Sequence, residues 1–211
     1  MEQFNNAQGQ VVISPNNKAL RVRPMMSFIE AVKTCFKKYA NFSGRARRSE
    51  FWWFSLALII IEIIISIISL FTRDWNAYFL ASRNLEHLEM LRISYCNFGG
   101  ILSLIFCIVT FIPSLSVQVR RFHDVGKSGK WVIVPLLASF AIIVGICMLS
   151  KENLLAPIPL ILIFVPLLLF GVFGIIFLVW SCLDSKPQTN KWGASPKYEE
   201  VEINTPMSQQ Q

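Results

Sequence analysis

The segment VRRFHDVGKSGKW, Val119–Trp131, places two arginines, a His-Asp pair and a Gly-Lys-Ser triplet in one short run. Three chemistries use such residues. A phosphate cradle of the form G-x-x-x-x-G-K-[ST] needs glycine at position 121, which is Arg121, and it needs a preceding strand where this sequence has an apolar run. A histidine–carboxylate pair needs both side chains on one side of the backbone. Adjacent helical residues such as His123 and Asp124 point about 100° apart, so they cannot form that dyad with each other. A metal site needs more ligands, and the other histidine, His87, is expected on the opposite membrane face. Outside this segment, Glu62 is the one charge in the first apolar run, where an ionisable group is costly and reads by default as functional. A small transporter or proton pathway using Glu62, and a membrane enzyme using His123 and Asp124, are therefore the alternatives to a non-catalytic role.

The elements around these residues are membrane spans. Of the 211 residues, 54% are hydrophobic and 16% charged. Four apolar runs, about 51–71, 98–117, 131–149 and 158–180, each have the ~18–20 residues that cross ~30 Å of hydrocarbon as a helix. The expected fold is an all-α membrane protein, a four-transmembrane-helix bundle. Residues 25–198 read as one membrane domain, and 1–24 and 199–211 as disordered tails on composition. The opening MEQFNNAQGQVVISPNNK has no apolar core before a small-residue cleavage site, so the first span is expected to serve as its own signal. Five cysteines in no C-x-x-C spacing point to neither disulfides nor zinc. Lys/Arg excess before the first span and in Val119–Lys130 marks both as cytoplasmic, which brings both termini inside. Between the first two spans, Thr72–Asn97 reads as an amphipathic helix on the outer surface. Small residues and prolines in the fourth span (Pro157, Pro159, Pro166, Gly171, Gly174) predict a kink and a close helix contact.

Ser27-x-x-Glu30 is a capping box, so an interfacial amphipathic helix is expected to start there, with Phe28, Ile29, Val32, Cys35, Phe36 and Tyr39 on one face. Gly44 then turns the chain into Arg45, Arg47 and Arg48, just before Trp52 and Trp53 at headgroup level. The spacing predicts that Arg120 and Arg121 lie within pairing reach of Asp124. Gly126 is expected to end that helix in the left-handed conformation, and Ser128-Gly129 to make the return, with Ser128 as a cap. His123 reads as headgroup-level filler or a partner for Glu50. At one membrane depth, Arg45, Arg48, Arg120 and Arg121 would form a cationic ring suited to lipid phosphate. Within the bundle, Glu62 is expected to hydrogen-bond to the polar stripe of the second span.

KKYANFSGRARRSEFWWF, IPSLSVQVRRFHDVGKSGKW and CLDSKPQTNKWGASPK resemble the three signature segments of a bacterial inner-membrane family catalogued as domain of unknown function 805, which includes the YhaH-like proteins. The resemblance covers about Lys37–Lys197. It marks Gly44, Glu50, Trp52, Asp124, Gly126, Ser128, Gly129, Asn190, Gly193 and Pro196 as motif positions, with Trp192 where a tyrosine is usual. It implies an inner-membrane location and no particular activity. The combined expectation is a non-enzymatic integral membrane protein. Its basic collar of Arg45, Arg47, Arg48, Arg120, Arg121 and His123 would engage anionic lipid headgroups, a membrane-protein partner or a second copy. No cofactor, metal or nucleic acid is expected.

Overall fold

A computed structural model describes residues 3–6, 9–13, 19–83, 87–148 and 157–201. Four helices carry the length and apolarity of membrane spans: α2 (Arg48–Thr72), α5 (Phe98–Asp124), α6 (Ile133–Met148, entered through a 3-10 turn at Gly129–Val132) and α7 (Pro157–Cys182). The expected all-α membrane bundle is therefore what the chain forms. Its apolar side chains point outward: Ile59 is 56% exposed and Leu168 is 70% exposed. In hydrocarbon, where backbone groups must bond within the helix, such a surface is the stable one. The buried interior is small and polar residues are prominent in it.

α2 lies along α5 and α6 along α7. The two hairpins meet near one end of the bundle. There Phe122 of α5 packs edge-on against Phe177 and Trp180 of α7, with ring centroids 4.7 and 5.4 Å apart. Trp52 Nε1 of α2 donates to the Ser181 carbonyl at 3.3 Å. At the other end the α2–α5 approach is closest where Gly99 meets the backbone of Ser69.

α1 (Phe28–Lys37) starts at the expected capping box: the Glu30 amide donates to Ser27 Oγ at 3.4 Å, and the Ser27 amide to the Glu30 carboxylate at 2.9 Å. Its buried residues, Ala31 and Cys35, face α2 and α5, with Phe36 edge-on to Phe54.

Three local expectations differ from the structure. Thr72–Asn97 forms two helices, α3 (Trp75–Arg83) and α4 (His87–Tyr95), rather than one; residues 84–86 and 149–156 lie outside the described residues. α7 continues through Pro166, and its Gly171 and Gly174 meet nothing within 4 Å, so the expected close contact does not form at these glycines but nearer the start of α7, where a Cβ on Gly145 of α6 would lie 3.1 Å from the Pro159 carbonyl. The terminal regions, read as tails, instead supply an antiparallel sheet. Strands β1 (Gln3–Asn6), β2 (Gly9–Ile13) and β3 (Ala19–Val22) run in order, and β3 pairs with β4 (Tyr198–Val201). Residues 202–211 lie outside the described residues.

Candidate functional site

The three motif segments converge where α5 ends. α5 runs past the apolar stretch to Asp124 because its last turn is held by partners rather than by hydrocarbon. Gly126, at φ 82°, then turns the chain, and Ser128 Oγ accepts from the Lys130 amide at 3.4 Å to start the 3-10 turn. Gly129 sits so close to α5 that a Cβ would lie 2.5 Å from Val119 Cγ1. This short return is the one the Gly/Ser pattern predicts. Gly44, at φ 83°, bends the incoming segment so that the Ala46 amide donates to the Arg120 carbonyl at 3.0 Å.

Asp124 is the centre of the cluster and is fully buried. Its carboxylate accepts from Arg45 Nε at 2.8 Å, from Arg121 Nη1 at 2.5 Å and from Ser185 Oγ at 2.6 Å. Two guanidiniums and a hydroxyl thus surround one charge. The remaining arginine donors go to backbone carbonyls. Arg45 reaches Lys186 at 2.5 Å and Gln188 at 2.8 Å, while Arg121 reaches Ala46 and Ser181, each at 3.3 Å, and also Leu183. Carbonyls are the natural partners here, since the chain leaving α7 has unsatisfied C=O groups. Arg120 points elsewhere, pairing with buried Glu50 of α2.

His123 bonds neither to Asp124 nor to Glu50. Its Nδ1 lies 3.1 Å from the Gly44 carbonyl and, facing an acceptor, carries the proton. Its ring stacks on Trp192, with centroids 4.3 Å apart and planes 10° apart. Asn190 Nδ2 donates to the His123 carbonyl at 2.9 Å. Asn190 and Gly193, the latter at φ 122°, close a tight bridge that presents Trp192 to the histidine. Pro196 follows buried Ser195 on the way into β4.

This geometry overturns the expected phosphate ring. Arg45, Arg120 and Arg121 are 6%, 1% and 0% exposed, and their charges are spent inside the protein. Arg47 is also turned inward, donating to the carbonyls of Arg23 at 3.1 Å and Pro24 at 2.6 Å; burial pushes its guanidinium below its usual range. Arg48 alone of these candidates is exposed, and it has no hydrogen-bond partner among the described residues. It lies at a groove of about 580 Å³ with Trp52, Trp53, Leu56 and Met25. Asp184 and Lys197 sit at the same groove and pair with each other. Burial alone would raise the Asp184 carboxyl, but Lys197 and the Ser185 amide hold it below the usual carboxylate range. Arg48 adds to that hold without an ion pair of its own among the described residues, so the groove keeps a net positive charge. Asp184, Ser185 and Lys197 were not singled out in the sequence, although all three stand in the third motif.

Glu62, far from this cluster, accepts from Ser103 Oγ of α5 at 2.6 Å, the cross-helix bond expected of it. Among the described residues no group of three or more His, Cys, Asp or Glu could hold a metal ion.

A family model described as a protein of unknown function, DUF805, matches residues 39–194 and takes in the arginine block, the α5 terminus and the Asn190–Gly193 bridge. The chain belongs to the DUF805 family. It is 32% identical to the inner membrane protein YhaI of Escherichia coli K12 over 114 residues, 53% of this chain and 77% of that protein. It is 31% identical to the inner membrane protein YhaH of the same strain over 128 residues, 58% of this chain and 90% of that one. No solved structure matches it. The buried cluster joins the three motif segments in one object: they are far apart along this chain and share Asp124 or its neighbours in space.

Proposed function

We propose that this DUF805 protein is a non-enzymatic integral inner-membrane protein with both termini cytoplasmic, and that its collar binds an anionic lipid headgroup at Arg48. The observation that carries the reading is the Arg48 groove: an exposed guanidinium beside two tryptophans and Leu56, a cation above an apolar floor. A phosphate would sit on the guanidinium with its acyl chain along Trp52 and Leu56, as expected of a residue at headgroup level. The buried arginines would then be the frame that fixes the start of α2 rather than the ligand site. The occupied donors of Arg45 and Arg121 and the doubly ion-paired Asp124 carboxylate also favour a structural role for His123-Asp124 over acid–base catalysis. Lys/Arg excess at the collar supports the cytoplasmic assignment, and the pairing of β3 with β4 supports placing both ends on one side.

The test compares thermal unfolding in nanodiscs of phosphatidylcholine with and without phosphatidylglycerol. Wild-type protein should gain stability from the anionic lipid, Arg48→Gln should lose most of that gain, and Arg48→Lys should keep part of it. Equal gains in wild type and Arg48→Gln would overturn the proposal.

A further inference from the structure

At the end of the bundle away from the collar, a cavity of about 440 Å³ opens between α2, α5 and the α3–α4 pair. Its wall carries two opposite charges, Glu62 and Arg73. Glu62, Ser66 and Ser69 share one face of α2, and Arg73, the residue that caps its C-terminus, follows at the same spacing, so the charges stand at the two ends of a polar ladder completed by Ser66 and Ser69. Neither charge is matched by an opposite one among the described residues. There, the one hydrogen bond to Glu62 comes from the neutral hydroxyl of Ser103. The Arg73 guanidinium lies over the rings of Trp75 and Tyr78, 5.2 and 5.3 Å from their centroids, and its Nε is buried with no hydrogen-bond partner among the described residues. A carboxylate within the span is costly until a cation or proton answers it, and a buried N–H without an acceptor is costly in the same sense.

A lone cation entering this cavity would meet the Arg73 guanidinium, and a lone anion would meet Glu62. A ligand carrying both charges satisfies both. Eleven residues of helix set the two Cα atoms about 16 Å apart, and both side chains reach into the one cavity, so its two charges must be separated by several bonds. We infer that the cavity binds an elongated zwitterion, with an ammonium group at Glu62 and a carboxylate or phosphate at Arg73. Two sources carry that chemistry: a dissolved amino acid-like molecule, or the phosphoethanolamine headgroup of a neighbouring lipid. A second cavity, of about 780 Å³, shares Glu62, Tyr95 and Ser103 with the first and is lined by Ile59 and Leu104, which face hydrocarbon. It gives a lipid a lateral way in. This site is independent of the Arg48 groove.

The probe is 6-aminohexanoate, with hexylamine and hexanoate as its single-charge counterparts. Thermal unfolding of the full chain is followed in maltoside micelles, with and without added phosphatidylethanolamine or phosphatidylglycerol. The expected result is a raised midpoint with 6-aminohexanoate and none with either counterpart, the rise being lost in Glu62→Gln and in Arg73→Gln. A rise given by phosphatidylethanolamine alone, and lost in the same variants, assigns the site to the lipid. If either charge variant fails to fold, Ser66→Leu replaces it, filling the cavity from an exposed position while both charges remain. The inference is overturned if neither zwitterion shifts the midpoint, if a single-charge counterpart shifts it equally, or if the response survives in the variants.

Discussion

Asp124 shows how a buried charge is tolerated: both carboxylate oxygens accept from donors, and the guanidiniums beside it turn other N–H groups to carbonyls. Breaking such a group from one side leaves uncompensated cations, so Asp124→Asn should cost about 3–5 kcal/mol, read as a lower unfolding midpoint in micelles. Cys35 tests the same dry region. Burial first, then the Glu50 carboxylate, pushes its thiol up to about 12, with Arg120 opposing. In the folded protein near neutral pH, a maleimide should label exposed Cys96 and spare Cys35, with peptide mapping as the readout. Because the folded thiol holds its proton longer than the unfolded one, this group's contribution to stability should fall as pH rises from 9.0 towards about 12. Cys35→Ala should remove that part of the pH dependence. The Arg121–Asp124 pair was legible from spacing alone. The fates of Arg45 and Arg47 were not, because apart from Asp124 their partners are main-chain carbonyls, of 186–193 and of 23–24, and residue identity does not announce a carbonyl's position.

The helices were the most legible level. Long apolar runs have one stable form in hydrocarbon, and α2, α5 and α7 each extend a few residues beyond the run that predicts them. The capping box placed the start of α1 to the residue. The glycines were read less well: small residues in α7 suggested a close approach, yet the closest one belongs to Gly99 of α5, against the backbone of Ser69. Sequence shows that a residue is small without showing which neighbour comes near. The structure makes opposite predictions for the two sites. Gly99→Ala would push a Cβ into backbone, which cannot step aside as a side chain can, and should cost about 1–3 kcal/mol. Gly171→Ala, in open space on a lipid-facing helix, should leave the midpoint unchanged or slightly raised.

At the scale of the whole molecule, the two chain ends are joined. β3 and β4 pair in register, Leu20 opposite Glu200, and the Arg23 amide donates to the Lys197 carbonyl at 2.8 Å. Composition read both segments as tails because they are polar and short; their pairing is long-range and leaves no local periodicity. Cysteines placed at positions 20 and 200 should form a disulfide under mild oxidation, since facing residues of antiparallel strands lie within bridging distance. The linked chain should migrate faster in a non-reducing gel, and cysteines at 20 and 198 should link poorly. Failure of the 20–200 pair to link would refute the sheet while leaving the four spans untouched.

The buried cluster also imposes an order in time. Arg45 leaves the ribosome first, Arg121 and Asp124 follow some eighty residues later, and Ser185 with the carbonyls of 183–193 emerges only after the last span. Until then, the growing chain holds two guanidiniums against one carboxylate, with none of the later acceptors. Completion of synthesis, rather than insertion of any one helix, is therefore the event that closes the molecule, and a polypeptide cut short before residue 183 carries its own mark of being unfinished.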